Sequence, residues 1–439
     1  MAVKAKKKTT AKKAAAVKKA GPAKKAKAVS RPRIDVHSHV IPLEMLQAIE
    51  REPERYQMRI KDVDGKRRIV REGGHTFPVF DEFSDPAVKV RGMDRKGIDV
   101  SFISPAPMVF FYWLDSDTAL SASRLINDGI ANMAAAYPDR LRPMGTIPMQ
   151  DPDAAIAELE RIVRDKGFRS IELGTSVEEA ALADPRFRKV LRRAQDLKVF
   201  IFAHPYSFDA SCGLENYYLR NLIGNPLQST IMAANLMYSG ALDELKKLKI
   251  CLAHGGGYIP YQIGRFVHGH KVRKETRALT KTSPYQSMRR FYYDALIHDP
   301  KALRYLIDQV GADRVTLGTD APFDMGEEAP LKMLDRVKGL TKKEREQICH
   351  DTAMDLLGGK LGDGVMRIIT DPDKGLFPRR REFTHHCSCP DYADLCKHQS
   401  AVLYAVGVLF DRDPNFFFQL RGVDPSELDK SVTRSEERR

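Results

Sequence analysis

No stretch of this chain approaches the ~18 consecutive apolar residues that a membrane span requires, although 43% of its 439 residues are hydrophobic. Near the start the longest apolar run is Ala14 to Val17, too short for the core of a secretory signal. Acid is missing altogether from residues 1–30, which hold eleven Lys. The formal net charge of +14 is therefore unevenly placed, and by subtraction the remainder of the chain carries only about +3. Cysteine is scarce as well: three of the six crowd into Cys387, Cys389 and Cys396. That pattern excludes a secreted disulfide framework and makes a reducing cytoplasm the expected compartment.

What is there falls into three parts. Residues 1–32 form a Lys/Ala-rich tail, read as disordered and solvated; its charge equally admits salt-sensitive binding to nucleic acid or another polyanion. From residue 33 to 359 short apolar runs alternate with helix-period segments. The expected strands are Ile34–Val36, Val100–Ser104, Leu141–Ile147, Ser170–Leu173, Val199–Ala203, Ile250–Ala253, Phe291–Ala295 and Val315–Gly318. Eight strands with intervening helices predict an α/β fold, a (β/α)8 TIM-type barrel, over an open sheet. The first crossover is longer than the rest. Within it (about 43–85), residues 58–70 read as a hairpin turning at Asp64-Gly65, a small insertion above the barrel mouth. Residues 360–439 are Gly-, Pro- and Arg-rich and carry the cysteine cluster, so a boundary is expected near Gly359.

Barrel enzymes place their chemistry at the C-terminal strand ends. The first strand ends in His37-Ser38-His39, whose two imidazoles project to one side because alternate strand residues share a face. The fifth ends in His204-Pro205-Tyr206, the sixth in His254-Gly255-Gly256-Gly257, and the eighth in Thr319-Asp320-Ala321-Pro322. Singly, each His reads as a core histidine bonded to a carbonyl, and the Asp as a helix cap. Together, at matched rim positions, they predict a metal-centred site. Three His and one Asp suit zinc best and tolerate manganese, iron or cobalt. An open coordination position would bring a bound water's pKa toward neutrality. The triple glycine is expected to tighten the turn and let a ligand approach the backbone closely.

These strand-end motifs resemble the amidohydrolase superfamily, and more narrowly its decarboxylase branch, the 2-amino-3-carboxymuconate-6-semialdehyde decarboxylase type, over residues 33–358. The stretches from Asp85-Pro86 to Gly97, Gly145 to Gln150 and Tyr293 to Pro300 support the likeness. The resemblance implies that His37, His39, His204 and Asp320 bind one catalytic Zn2+ and that His254 is the acid/base. It implies that Arg68 holds the carboxylate of a small-molecule substrate, with Tyr206 beside it where that branch typically has Trp. It further implies a homodimer in which Arg265 and Arg273 reach the neighbouring subunit's site. Binuclear relatives bridge two metals with a modified Lys at the end of strand four; none stands here, and Glu172 on that strand reads as structural.

Cys387-x-Cys389 followed by Cys396-x-His398 offers four donors within twelve residues, which suits one closed, tetrahedral structural Zn2+. The segment around it, about 364–425, resembles the SWIM zinc-finger family, and that resemblance implies contacts to DNA or protein. The whole reads as a zinc-dependent non-oxidative decarboxylase of an unsaturated or aromatic carboxylic acid. In that reading water polarised by the metal, with His254, supplies the proton. A hydrolase or hydratase on the same scaffold is the alternative enzyme. A nucleic-acid-associated protein using tail and finger is the alternative of another class.

Overall fold

The computed structural model describes residues 31–71, 76–206, 213–358, 387–389 and 396–412. The tail expected over residues 1–30, and most of the segment after 359, lie outside the described residues. Eight parallel strands close a TIM-type barrel. They are β1 (Ile34–Asp35), β2 (Val100–Pro105), β3 (Leu141–Pro143), β4 (Ser170–Gly174), β5 (Phe200–His204), β6 (Ile250–Leu252), β7 (Tyr292–Asp294) and β8 (Val315–Thr316). Ladders join β1 to β2 to β3, and β4 through to β8 in sequence. Two single bridges complete the ring, Gly145 to Ile171 and Asp35 to Leu317. The expected run Leu141–Ile147 narrows to a three-residue strand ending at Pro143, which has no N–H to donate to the ladder.

Both faces of β4 and β5 are buried throughout, as a barrel wall between interior and helices requires. Inside, Ile34, Phe102, Phe200, Phe202 and Tyr292 pack with Ala353 and Leu356 into an apolar plug. The last two belong to the helix Thr352–Leu356. The ring of Phe202 lies 4.8 Å from that of His37, so the plug forms the dry floor of the site above it. Three crossover helices start at an Asp-Pro pair: Asp85, Asp151 and Asp299 each accept the first free backbone N–H groups of the helix that follows. Proline at N1 costs no hydrogen bond there and pre-sets the helical φ.

The insertion contains the expected hairpin, Met58–Val63 against Lys66–Arg71, with Asp64 and Gly65 at φ 55° and 71°. Two consecutive positive φ values match a tight hairpin turn whose twist suits its strands. A third strand, Thr76–Pro78, adds to the edge of Lys66–Arg71. Met58 and Ile69 are buried and anchor this small sheet to the barrel core.

Candidate metal centre

Donor atoms of His37, His39, His204 and Asp320 all lie within 4.8 Å of one another, and all four residues are buried. The Nε2 atoms of His37 and His39 are 3.1 Å apart. Asp320 Oδ1 is 3.3 Å from the first and 3.0 Å from the second. Ligands held ~2.0–2.1 Å from one tetrahedral ion stand roughly 3.3 Å from each other, so these separations fit a single metal. The far nitrogen of each ring fixes which nitrogen points inward. His37 Nδ1 donates to Asp294 Oδ2 at 2.6 Å, and His204 Nδ1 donates to the Pro205 carbonyl at 2.6 Å. His39 Nδ1 lies 3.4 Å from Ser104 Oγ, which itself donates to the Ser38 carbonyl. All three Nε2 lone pairs are thereby left facing the centre, the outer-shell arrangement by which proteins orient metal-binding imidazoles. His204 Nε2 and Asp320 Oδ1 are buried with no hydrogen-bond partner among the described residues. Two orphaned buried acceptors would be costly without a cation.

His254 stands beside this set and outside it. Its ring centroid is 5.0 Å from that of His204, and its Nε2 is 3.8 Å from Asp320 Oδ2. Both His254 and Asp320 have positive φ, 55° and 56°. Each costs on the order of 1 kcal/mol for a residue with a Cβ, and each bends the chain directly after a strand so that the side chain turns over the barrel axis. The glycines after His254 do tighten the turn, with φ near 60–75° at all three. They do not open the backbone to a ligand, however. A Cβ on Gly256 would meet the Tyr293 ring at 2.5 Å, and one on Gly257 the Pro226 carbonyl at 2.1 Å. The space they spare is filled by the protein itself.

Electrostatics follow the geometry. Burial alone would depress His37, but the Asp320 and Asp294 carboxylates outweigh it and raise it to about 10. Burial lowers His39 to about 4 and His204 well below the usual range. Burial would raise Asp320, yet His37, His254 and His39 hold it well below the ordinary carboxylate range. The Asp320 and Asp294 carboxylates thus make His37 the most basic of the three imidazoles, and a proton and a metal would compete for it. Glu172 faces the barrel interior with Oε2 3.7 Å from His39 Nδ1, and burial raises it to about 8.

The remaining expected residues separate into groups. Tyr206 is half-buried, its ring 5.3 Å from Tyr112 and 5.9 Å from Phe110. Arg68 sits half-buried on Lys66–Arg71, and its Nε is buried with no hydrogen-bond partner among the described residues. Arg265 and Arg273 are exposed along the helix Ile259–Val272 and its end, the latter paired with Glu275 at 2.8 Å. Neither joins the histidine cluster of its own chain. Cys387, Cys389, Cys396 and His398 bring their donor atoms within 4.8 Å of one another.

Two residues at the centre have no place among the sequence expectations. Asp294, at the end of β7, holds His37 and also accepts the Gly255 N–H at 2.8 Å, tying a ligand to the turn that carries His254. The strand-end rule that picks out Asp320 applies to it equally. Lys89 is fully buried on the helix Pro86–Lys96 and donates to the carbonyls of His39 (3.0 Å) and Ala321 (2.9 Å). Burial lowers it to about 8. A lysine in a helix reads as a solvated face, and nothing in the sequence marks this one otherwise.

The amidohydrolase family model matches residues 34–359, and the SWIM zinc-finger model matches residues 369–407. A 2-amino-3-carboxymuconate-6-semialdehyde decarboxylase from Dictyostelium discoideum is 29% identical over 328 residues, covering 74% of this chain and 91% of its own. A gamma-resorcylate decarboxylase from Rhizobium sp. (strain MTP-10005) is 30% identical over 260 residues, covering 54% of this chain and 76% of its own. Among solved structures, a dihydroxybenzoic acid decarboxylase from Polaromonas sp. JS666 with bound manganese and the inhibitor 2-nitroresorcinol superposes with a TM-score of 0.61. It is 22% identical and covers 75% of this chain and 97% of its own.

Proposed function

As a metal-dependent carboxy-lyase of the amidohydrolase family, to which this chain belongs, the protein, we propose, removes CO2 non-oxidatively from an unsaturated or aromatic carboxylic acid. The observation that carries this reading is the convergence of three oriented imidazoles and Asp320 on one point, with His254 beside them. His37, His39, His204 and Asp320 would hold a divalent cation, which would supply Lewis-acid polarisation and acidify a water. Zinc suits these donors best by their chemistry, and manganese is tolerated. Arg68 pairs with a substrate carboxylate through two parallel hydrogen bonds. Tyr206, backed by the buried rings of Tyr112 and Phe110, offers a partly exposed ring against which a planar substrate packs. The C–C electron pair stays on the carbon that loses CO2, and a proton passed through His254 takes the vacated position.

Homodimer formation is part of the proposal. Arg265 and Arg273 lie on a surface where Tyr261 (77% exposed), Leu279 (70%) and Val272 (54%) leave apolar side chains in solvent. A partner's surface covers such a patch and brings the arginines toward that partner's site. Cys251 and Cys349, buried and unbridged, support the reading of a reducing, cytoplasmic compartment. A structural zinc at Cys387, Cys389, Cys396 and His398 completes the metal content.

The test is release of CO2 from a panel of carboxylated dienes and phenolic acids by the metal-loaded full chain. Turnover with water addition or bond hydrolysis, and no CO2, would instead make the protein a hydratase or hydrolase. Mixing separately inactive Arg273→Ala and His254→Ala proteins restores activity if the site is shared. No recovery after verified subunit exchange would remove the arginine from the partner's site.

A further inference from the structure

Opposite the histidines, the N-terminal ends of the barrel strands surround a cavity of about 630 Å³. The residues entering β5, β6, β7 and β8 bring Lys198, Lys249, Arg290 and Arg314 to it, and Lys246 and Lys247 complete its rim. Among the described lining residues the sole acid is Asp196. Three of these cations already have structural work. Arg290 donates to the carbonyls of Leu242, Leu245 and Lys246. Lys249 pairs with Asp355 at 3.5 Å. Arg314 lies over the Tyr292 ring at 4.8 Å, beside Asp313. Lys198, Lys246 and Lys247 are exposed and have no ion pair among the described residues. Six cations beside the carboxylates of Asp196, Asp313 and Asp355 leave a net positive concavity, which raises the potential there and draws anions in.

The described barrel begins and ends at this same face. The polypeptide enters the barrel at Arg33, whose carbonyl accepts the N–H groups of Asp99 and Val100 just ahead of and at the start of β2. Pro32 and Arg31 are held there by His350 and Glu346. Arg31, the residue that follows the lysine-rich stretch 1–30 in the sequence, therefore lies at this face. The chain leaves the barrel at Gly358, which itself lines the cavity; residues 359–439 carry as many Asp and Glu as Lys and Arg, so the net positive charge joined to this face belongs to residues 1–30. The site of the histidines is a full strand length away, ~16 Å for five residues.

We propose that this cavity is a phosphate-binding site for a single strand of nucleic acid, engaged by Lys198, Lys246 and Lys247. Lysines are point charges on flexible stems and neutralise phosphodiesters one at a time without reading sequence. The single aromatic ring at the site, Tyr292, is already occupied, its hydroxyl bonded to Asp355 and its face covered by Arg314. Base stacking therefore adds nothing there, and recognition is electrostatic. A flexible sugar-phosphate strand can follow a concavity of this size, and comparison with a duplex tests that preference. The inference is independent of the decarboxylase reading, since it uses the other end of the barrel.

The experiment measures anisotropy of a labelled oligothymidylate with the full chain over a salt series. It compares the parent with the triple variant Lys198→Ala, Lys246→Ala, Lys247→Ala. Losing three phosphate contacts at a slope of ~0.7 each reduces the log K against log salt slope by about 2. Affinity near physiological salt falls at least tenfold, roughly the lower bound such a slope change implies, while metal content and CO2 release stay unchanged. The matching triple Lys→Arg variant retains binding. An unchanged slope and affinity in the alanine variant would overturn the site, because the tail would then carry all the binding. So would tighter binding of a duplex than of a single strand, or no binding by the parent at low salt.

Discussion

Two sets of four metal donors in this chain reach the same compactness by opposite routes. His37, His39, His204 and Asp320 come from three strand ends spread across nearly the whole barrel; Cys387, Cys389, Cys396 and His398 fit within twelve residues. In the barrel the four donors are buried, and each ring has its outer nitrogen fixed by Asp294, Ser104 or Pro205. In the cysteine cluster His398 is exposed and two of the thiols are only half-buried. There the thiols organise one another. The backbone N–H of Gln399 first, then the Cys389 and Cys387 side chains and the His398 N–H, lower Cys396 to about 7. The barrel donors are held by the same contacts that close the ring. The donors of the cysteine cluster are neighbours in the chain, so the binding energy of a metal there would be folding energy of its own segment.

The comparison breaks first on the histidines, where the largest effect is expected. His204→Ala removes one of the preorganised donors, so the barrel loses its metal and turnover falls more than about a thousandfold, the order that loss of a metal's Lewis acidity and acidified water carries. His254→Ala keeps the barrel metal and still loses ~10²–10⁴ in turnover, the range for a general acid–base group. Elemental analysis beside CO2 release distinguishes the two. Equal metal loss in both variants would place His254 among the ligands.

How far each site is legible in the sequence follows the same division. The cysteine cluster is visible from spacing alone, because its donors are neighbours in the chain. The barrel donors are visible only through a rule about where strands end, and that rule depends on having the eight strands right. It finds His37, His39, His204, His254 and Asp320, all at or just past strand ends. It applied to Asp294 as well, but a strand-end acid that holds a histidine looks, in sequence, no different from one that caps a helix. Lys89 is beyond such reasoning: its partners are two backbone carbonyls, at His39 and Ala321, and no residue type announces a carbonyl in need of a donor. The meaning of His254-Gly255-Gly256-Gly257 is likewise decided by what packs on it, Ile297, Tyr293 and Pro226, rather than by the glycines.

Lys89 supplies the next way to sharpen the contrast. Its ammonium joins the backbone following β1 to the backbone following β8, the two segments that carry His37, His39 and Asp320. Lys89→Met keeps the length and the apolar stem but removes the ammonium from both carbonyls, leaving Ala321 with the His39 N–H and the Ser38 hydroxyl, and leaves Glu82 with Arg95 at 3.8 Å as its cation. Barrel-metal affinity falls by ~10–100-fold, as for other outer-shell supports, measured by competition with a chelator. Lys89→Arg recovers part of it, because a guanidinium also donates to two carbonyls. The cysteine cluster's metal is untouched in either variant. An unchanged barrel affinity in Lys89→Met would mean that strand closure alone holds the donors in place.

The smallest effect on catalysis is expected from the other cluster, and it tests whether the two sites are separate at all. Cys387→Ser with Cys396→Ser removes two of the three thiolate donors, and a hydroxyl does not replace a thiolate toward zinc. Bound zinc falls by about one ion per chain. The ~10–16 kcal/mol that such a site contributes is spent on ordering its own segment. The helix Lys397–Arg412 begins inside the cluster, with the Ser400 N–H bonded to the Cys396 carbonyl, so local helix content is where the loss appears. The barrel's ligands, their outer-shell partners and the apolar plug beneath them all come from residues 34–358, and turnover stays within about twofold, less than the ~0.5 kcal/mol expected of a change remote from the site. Hydrogen exchange and metal analysis on the same protein report the two regions separately. A collapse of turnover together with loss of the cysteine-bound zinc would show that the cluster braces the catalytic barrel, and that a boundary near residue 359 divides one cooperative unit.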